Sequence, residues 1–185
     1  MKRNRTAIRL TVISMLAAIS VILVYLIRFP IFPAVPFLEY DPADIPIFMG
    51  TMLFGPFYGL LLTAGVSIVQ GLTVSASSGI VGIVMHFFAT GSFVLSFGLI
   101  YKKHKTLKGS IIGSVVGIIV MTAFMTLWNM ILTPIFMGAP RAEVMKLMLP
   151  FIIPFNLIKA FINASISFVL YNILDRAINF KKFFD

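Results

Sequence analysis

The sequence contains no cysteine and very little charge. Without cysteine there is no disulfide, no thiolate nucleophile and no cysteine metal ligand, and the redox compartment leaves no trace. Asp, Glu, Lys and Arg make up only 11% of 185 residues, against roughly 25% in an average soluble domain. That is too little to coat a water-facing globule. Hydrophobic residues reach 59% and the mean hydropathy is +1.04, which excludes disorder as firmly as it excludes a soluble enzyme. An integral membrane protein remains. A span takes about 20 apolar residues, so the chain is expected to be a single membrane domain, 1–185, of about six spans, with no room for a soluble ATPase.

Catalytic signatures are missing too. There is no G-x-S-x-G elbow, no P-loop and no H-E-x-x-H helix. The six acidic residues fall in loops or near the termini. Acid–base chemistry inside the membrane therefore has no obvious players, and no coupling-ion carboxylate is evident. His86 is alone in an apolar run and reads as an interhelical hydrogen-bonder, while His104 sits in a basic connection. No metal site and no enzyme are expected.

The charge that is present is mostly positive: 15 Lys and Arg against six Asp and Glu, a formal net of +9. The positives cluster at Lys2, Arg3 and Arg5, at Arg9, at Lys102, Lys103, Lys105 and Lys108, and at Lys181 and Lys182. All are short flanks of apolar runs, which points to cytoplasmic anchoring beside the bilayer rather than to nucleic acid.

Apolar runs and their breaks predict an all-α bundle of six transmembrane helices at about 8–27, 45–54, 57–73, 80–101, 109–135 and 148–175. The breaks are Gly55-Pro56, the serine-rich stretch 75–79, the basic loop 102–108 and a loop over 136–147. The first helix reads as retained, since no small-x-small cleavage site follows it. Tandem small-x-x-x-small pairs at Gly109, Gly113 and Gly117 predict a close helix approach. Segment 28–44 has four prolines and half of the acidic residues, Glu39, Asp41 and Asp44. It cannot be a continuous helix. It is either an ordinary interfacial loop or an aromatic-rich cover over a cavity. Six spans place both termini and the 102–108 loop in the cytoplasm and the acidic loop outside, as the positive-inside rule requires.

Polar residues inside spans are default functional candidates. Asn156, Lys159 and Asn163, spaced 3 and 4, share a face of the last helix. Lys159 lies roughly 15 Å into it at 1.5 Å per residue, where a lysine costs about 2.5–3.5 kcal/mol. It faces a cavity, a ligand or a partner, or else it caps carbonyls or pairs with a loop carboxylate. Asn129 is the informative member of a stripe with Thr122, Thr126 and Thr133, as a ligand group or as helix–helix glue. The break at 75–79 is a plain turn or part of a site. Together these predict a polar but carboxylate-free pocket, opening outward, for a flat, neutral, hydrogen-bonding small molecule.

The run Phe37-Leu38-Glu39-Tyr40-Asp41-Pro42-Ala43-Asp44-Ile45-Pro46, followed by Phe54-Gly55-Pro56-Phe57-Tyr58-Gly59, resembles the riboflavin-specific substrate-binding (S) components of energy-coupling-factor (ECF) transporters. The resemblance covers essentially the whole chain. It implies riboflavin as transported ligand, with no cofactor. Asn129, Asn156 and Lys159 match positions that hold the vitamin. Leu38, Tyr40 and Asp41 correspond to the covering outer loop, and Ser77 to the connection of helices three and four. It implies a multi-pass protein of a prokaryotic cell membrane, with a membrane T component and two ATPase subunits as partners. Ser14 and Ala18 stand where the family docks its T component, a mild departure from its Ala-x-x-x-Ala pattern. Alternatives are the same fold with another vitamin, an intramembrane enzyme or a channel.

Overall fold

The computed structural model describes residues 5–178. The charge clusters at Lys2-Arg3 and Lys181-Lys182 lie outside the described residues.

In chain order the elements are α1 (Arg5–Leu26), β1 (Phe29–Pro30), β2 (Glu39–Tyr40), α2 (Asp44–Phe54), α3 (Pro56–Leu72), a 3-10 turn (Ala76–Ser78), α4 (Gly79–Lys103), α5 (Leu107–Met137), α6 (Arg141–Leu147), a π turn (Met148–Ile152) and α7 (Ile153–Ile178). The last three run on without interruption. Counted as one, they give six helical segments, as the hydropathy pattern predicts.

Three boundaries have local causes. Gly55 joins α2 to α3 at φ 91°, a conformation that L side chains rarely adopt, and Pro56 opens α3 where its missing N–H costs nothing. The Thr106 hydroxyl caps α5 by accepting from the Gly109 amide at 3.1 Å. The stretch 136–147, expected to be a loop, is helical from Arg141 onward. Pro140 presets the entry, and Glu143 in the first turn suits the helix N-terminus. Pro150 then removes a backbone donor, and the chain continues through the wider π turn instead of ending.

The six segments are not six equal spans. Four are long and apolar enough to cross a membrane, within Thr6–Leu26, Ala76–Lys103, Leu107–Met137 and Arg141–Ala177. The 11 residues of α2 make only about 16 Å of helix and the 17 of α3 about 25 Å, less than a hydrocarbon core of about 30 Å. The reason is position. Every residue of α2 from Asp44 to Met52 is buried, because α2 packs on α1, α3, α4 and α7. Its length answers to protein neighbours, not to lipid.

The core is built on aromatic rings laid over glycine. Phe48 of α2 stacks on Phe93 of α4 with ring centres 3.9 Å apart, and the stack continues to Phe97 and Tyr101. Phe93 reaches this position because Gly117 of α5 has no side chain; a Cβ there would stand 2.8 Å from the ring. A second cluster joins the 28–44 segment to the bundle: Val35 and Leu38 pack on Val144, Met148, Ile152 and Phe155.

Gly117→Leu should therefore push Phe93 off Phe48. Overpacking of this kind costs about 1–3 kcal/mol, so the detergent-solubilised variant should melt several degrees below wild type. Gly65→Ala, with nothing within 4 Å of its Cβ, should not fall.

Candidate ligand-binding site

Segment 28–44 folds back over the bundle. Its ends pair as a minimal antiparallel ribbon, Phe29 opposite Tyr40 and Pro30 opposite Glu39. The Arg28 guanidinium binds the Glu39 carboxylate and also donates to the Val74 carbonyl at 2.7 Å, tying the segment to the α3–α4 connection. Beneath it lies a cavity of about 180 Å³. A single water needs roughly 10–15 Å³ by this measure, so the space is of small-molecule size. Its walls come from the covering segment and from α3, α4, α5 and α7.

Of the residues singled out in the sequence, Leu38, Asp41, Asn129, Asn156 and Lys159 line this cavity together. They come from 3 separate parts of the chain. Lys159 Nζ donates to Asp41 Oδ2 at 2.7 Å. Both readings of the lysine thus hold at once, since it faces the cavity and pairs with a loop carboxylate. Asn129 donates to the Met125 carbonyl at 2.7 Å and accepts from Thr133 at 2.7 Å. Asn156 donates to the Ile152 carbonyl at 2.7 Å, serving the π turn. These bonds within one helix fix the side-chain amides in place.

Tyr40 stands behind the wall. Its hydroxyl donates to Asn163 Oδ1 at 2.9 Å, and burial raises the phenol above its ordinary pKa, so it remains a donor. Ser77 is exposed and outside the lining, whereas Ser75 and Ser78 on either side of it reach the cavity. Ser14 and Ala18 are exposed on α1 and do not line the cavity. Trp128 also turns outward, stacked on Phe88 with centres 4.6 Å apart, although Asn129 beside it points in.

The expectation of a carboxylate-free pocket is wrong. Asp41 and Asp44 both line the cavity and both are buried. They read as loop residues in the sequence, but the loop is folded inward, and α7 supplies donors that make their burial affordable. Asn163 donates to the Asp41 carbonyl and to Asp44 Oδ2, each at 3.1 Å. Thr90 donates to Asp44 Oδ1 at 2.6 Å. His86, an interhelical hydrogen-bonder as expected, places Nδ1 2.7 Å from the Ser67 hydroxyl and Nε2 3.3 Å from Asp44.

Sequence reasoning missed Asp44, Ser67, Gln70 and Thr90. A signal existed for two of them. Thr63, Ser67 and Gln70 follow at spacings of 4 and 3 along an otherwise apolar α3, one polar face. No group of residues able to hold a metal ion is found among the described residues.

Asn163→Leu removes the partner of the Tyr40 hydroxyl and two donors from the aspartate pair. Each unsatisfied buried polar group costs about 1–3 kcal/mol, so this variant should lose more thermal stability than any single-hydroxyl deletion. Thr11→Val, which removes an exposed hydroxyl bonded to its own helix, should shift stability by less than about 0.5 kcal/mol. A thermal melt of both in one detergent checks the contrast.

Comparison with known proteins accords with this geometry. A family model described as the substrate-specific component of ECF transporters matches residues 8–171. The riboflavin transporter RibU of Staphylococcus aureus (strain TCH60) is 35% identical over 188 residues, covering 98% of this chain and 95% of the relative. The riboflavin transporter FmnP of Bacillus subtilis (strain 168) is 30% identical, over 83% of this chain and 85% of the relative. Among solved structures, the S component of a bacterial ECF transporter superposes with a TM-score of 0.81 at 31% identity, over 94% of this chain and 98% of that one. An S component for biotin from an ECF-type ABC transporter superposes at 0.65 with 21% identity, over 93% and 95% of the two chains, and speaks for the fold alone. The chain belongs to the substrate-specific components of ECF transporters.

Proposed function

We propose that this chain is a membrane subunit that captures riboflavin outside the cell for ATP-driven import. One observation carries the reading. A covered cavity of small-molecule size, lined by Leu38, Asp41, Asn129, Asn156 and Lys159, lies in a chain 35% identical to a riboflavin transporter. The isoalloxazine ring is flat, with apolar faces and hydrogen-bonding edges, and the ribityl chain carries hydroxyls. A mostly apolar pocket with a few placed polar groups suits such a cargo. Within this reading Leu38 and the apolar walls hold the ring faces, while Asn129, Asn156, Lys159 and Asp41 meet polar edges and hydroxyls. Tyr40 positions Asn163 from behind, and Ser77 belongs to the rim formed by its neighbours.

The chain is a transport subunit and not an enzyme. Its partners in this reading are a membrane T component and two ATPase subunits, which supply the work. Support for a docking face comes from α1, where Ser14 and Ala18 are exposed among exposed Met15, Ile19 and Ile22. Small residues four apart let a partner helix approach closely. The setting is the cell membrane of a prokaryote, with one domain over residues 1–185, six crossings and both termini in the cytoplasm. In this reading α2 makes the second crossing, and the covering segment stays on the outer side. A helix shorter than the hydrocarbon core is tolerated where protein buries it, and α2 is buried from Asp44 to Met52. The cavity then opens outward, and Lys102, Lys103, Lys105 and Lys108 face the cytoplasm.

Riboflavin titrated into detergent-purified, ligand-stripped protein tests the proposal. Trp128 emission overlaps flavin absorption, so a flavin bound across the α5 wall should quench it saturably and one to one, and thiamine and biotin should not. Absence of binding, both by this signal and by equilibrium dialysis, would overturn the reading. Two variants locate the site. Asn156→Leu should keep the fold, because its amide serves only its own helix, and should weaken riboflavin at least about tenfold, the equivalent of one hydrogen bond of about 1.4 kcal/mol. Lys159→Met should weaken it further, because it also leaves Asp41 without its cation. Truncation of the exposed Lys103 side chain should change nothing.

A further inference from the structure

A second recess lies between α5 and α7, a furrow of about 190 Å³ that shares no lining residue with the covered cavity. It exists because both walls are built from small side chains, Ser110 and Ser114 on α5 and Ala164 and Ser165 on α7. From Ser110 to Ile118 it follows α5 for about 12 Å at 1.5 Å per residue. That length fits within half of a hydrocarbon core, roughly 15 Å. Spread along it, the volume leaves a width of a few ångströms. A helix about 10–12 Å across cannot enter; a single hydrocarbon chain can. Ser110 at its floor is 2% exposed, and its hydroxyl has no hydrogen-bond partner among the described residues. Serine in a membrane helix ordinarily bonds its own backbone, as Ser67, Ser96 and Ser167 do here. The Ser110 hydroxyl hydrogen is free to turn toward an acceptor in the furrow.

The mouth of the furrow is basic. Lys108 precedes Ile111 by 3 residues, and Val115 and Ile118 follow Ile111 at spacings of 4 and 3, so the lysine shares the face of α5 that lines the furrow. Lys102, Lys103 and Lys105 are exposed just before it, and exposed Arg176 stands at the same end of α7. Asp175 is the one carboxylate among the described residues at this end of α4, α5 and α7. The ion pairs found among the described residues involve none of the four lysines. We propose that the furrow holds one acyl chain of an anionic phospholipid, drawn from the leaflet that the Lys102–Lys108 connection faces. Its phosphate sits at Lys108, and a glycerol ester carbonyl accepts from the Ser110 hydroxyl. The register suits a phospholipid. Ser110 lies about 3 Å deeper than Lys108 at 1.5 Å per residue, and the ester carbonyls of a phospholipid lie just below its phosphate. Basic pockets between membrane helices recruit anionic head groups in this way. The inference does not depend on which cargo the covered cavity takes.

Native mass spectrometry of the delipidated full chain in detergent tests the proposal, with phosphatidylglycerol and phosphatidylcholine of the same acyl chains as the added lipids. Phosphatidylglycerol should be retained saturably, one per chain, and at least about tenfold more tightly than phosphatidylcholine, because several basic residues act on its net charge. It should also raise the melting temperature more than phosphatidylcholine does, as a ligand of the folded state must. Lys108→Gln should weaken it about fivefold, the share of one basic residue at about 1 kcal/mol. Ser165→Leu, at an exposed position, should fill the furrow and abolish the single retained lipid without lowering the lipid-free melt. Lys108→Gln, also at an exposed position, keeps the test independent of any repacking that leucine causes. Inorganic phosphate should not displace the lipid, since the chain is held as well as the charge. Equal retention of the two lipids would overturn the proposal, and so would full retention in Ser165→Leu, which would place the lipid elsewhere. Displacement by inorganic phosphate would overturn it too, by reducing the site to a phosphate-binding patch.

Discussion

Two aspartates are buried in the apolar interior of this chain, and the way they are neutralised governs much of the rest. A carboxylate withdrawn from water is costly unless donors or a cation meet it. Asp41 receives the Lys159 ammonium, and Asp44 receives Asn163 and Thr90. Because Lys159 and Asn163 are one turn apart on α7, a single helix face clamps both carboxylates. The clamp fixes where the covering segment ends and where α2 begins. It therefore also fixes one wall of the cavity. The same bonds explain how a lysine can sit deep in an apolar helix without reaching for the surface.

Around that clamp the packing is dry and aromatic. The stack from Phe48 through Phe93 and Phe97 to Tyr101 runs down α4 away from the cavity. Glycine on α5 lets the rings lie against backbone. The molecule thus divides along its long helices. One half holds polar groups and open space beneath the covering segment. The other is built on stacked rings. A binding site supported on such a base keeps its amides in place, as Asn129 and Asn156 also do by bonding within their own helices.

Particular residues show how far local reasoning reached. Asn156 and Lys159 were legible because a polar side chain in an apolar run has few innocent explanations. Leu38 and Asp41 were reached only through resemblance to a family. Tyr40 came from the same resemblance, yet its hydroxyl turns to Asn163 behind the wall. Ser77 lies between Ser75 and Ser78, which reach the cavity, a difference of helical phase that a turn does not advertise. The helical stretch Arg141–Leu147 was hidden by its charge, since Arg141, Glu143 and Lys146 between two apolar runs read as loop.

What the sequence by itself determined is what the solvent dictates locally. Hydropathy and length set the class and the six helical segments. Gly55-Pro56 and the serine-rich stretch set the breaks, because a bilayer and a backbone impose their rules within a few neighbouring residues. What only the tertiary structure decided is which polar groups meet. Lys159 finds Asp41 across 118 positions, and Tyr40 finds Asn163 across 123. No local pattern encodes such pairs. They follow from the inward fold of the covering segment, and once it is folded inward a buried carboxylate leaves the chain little choice but to supply it with a partner.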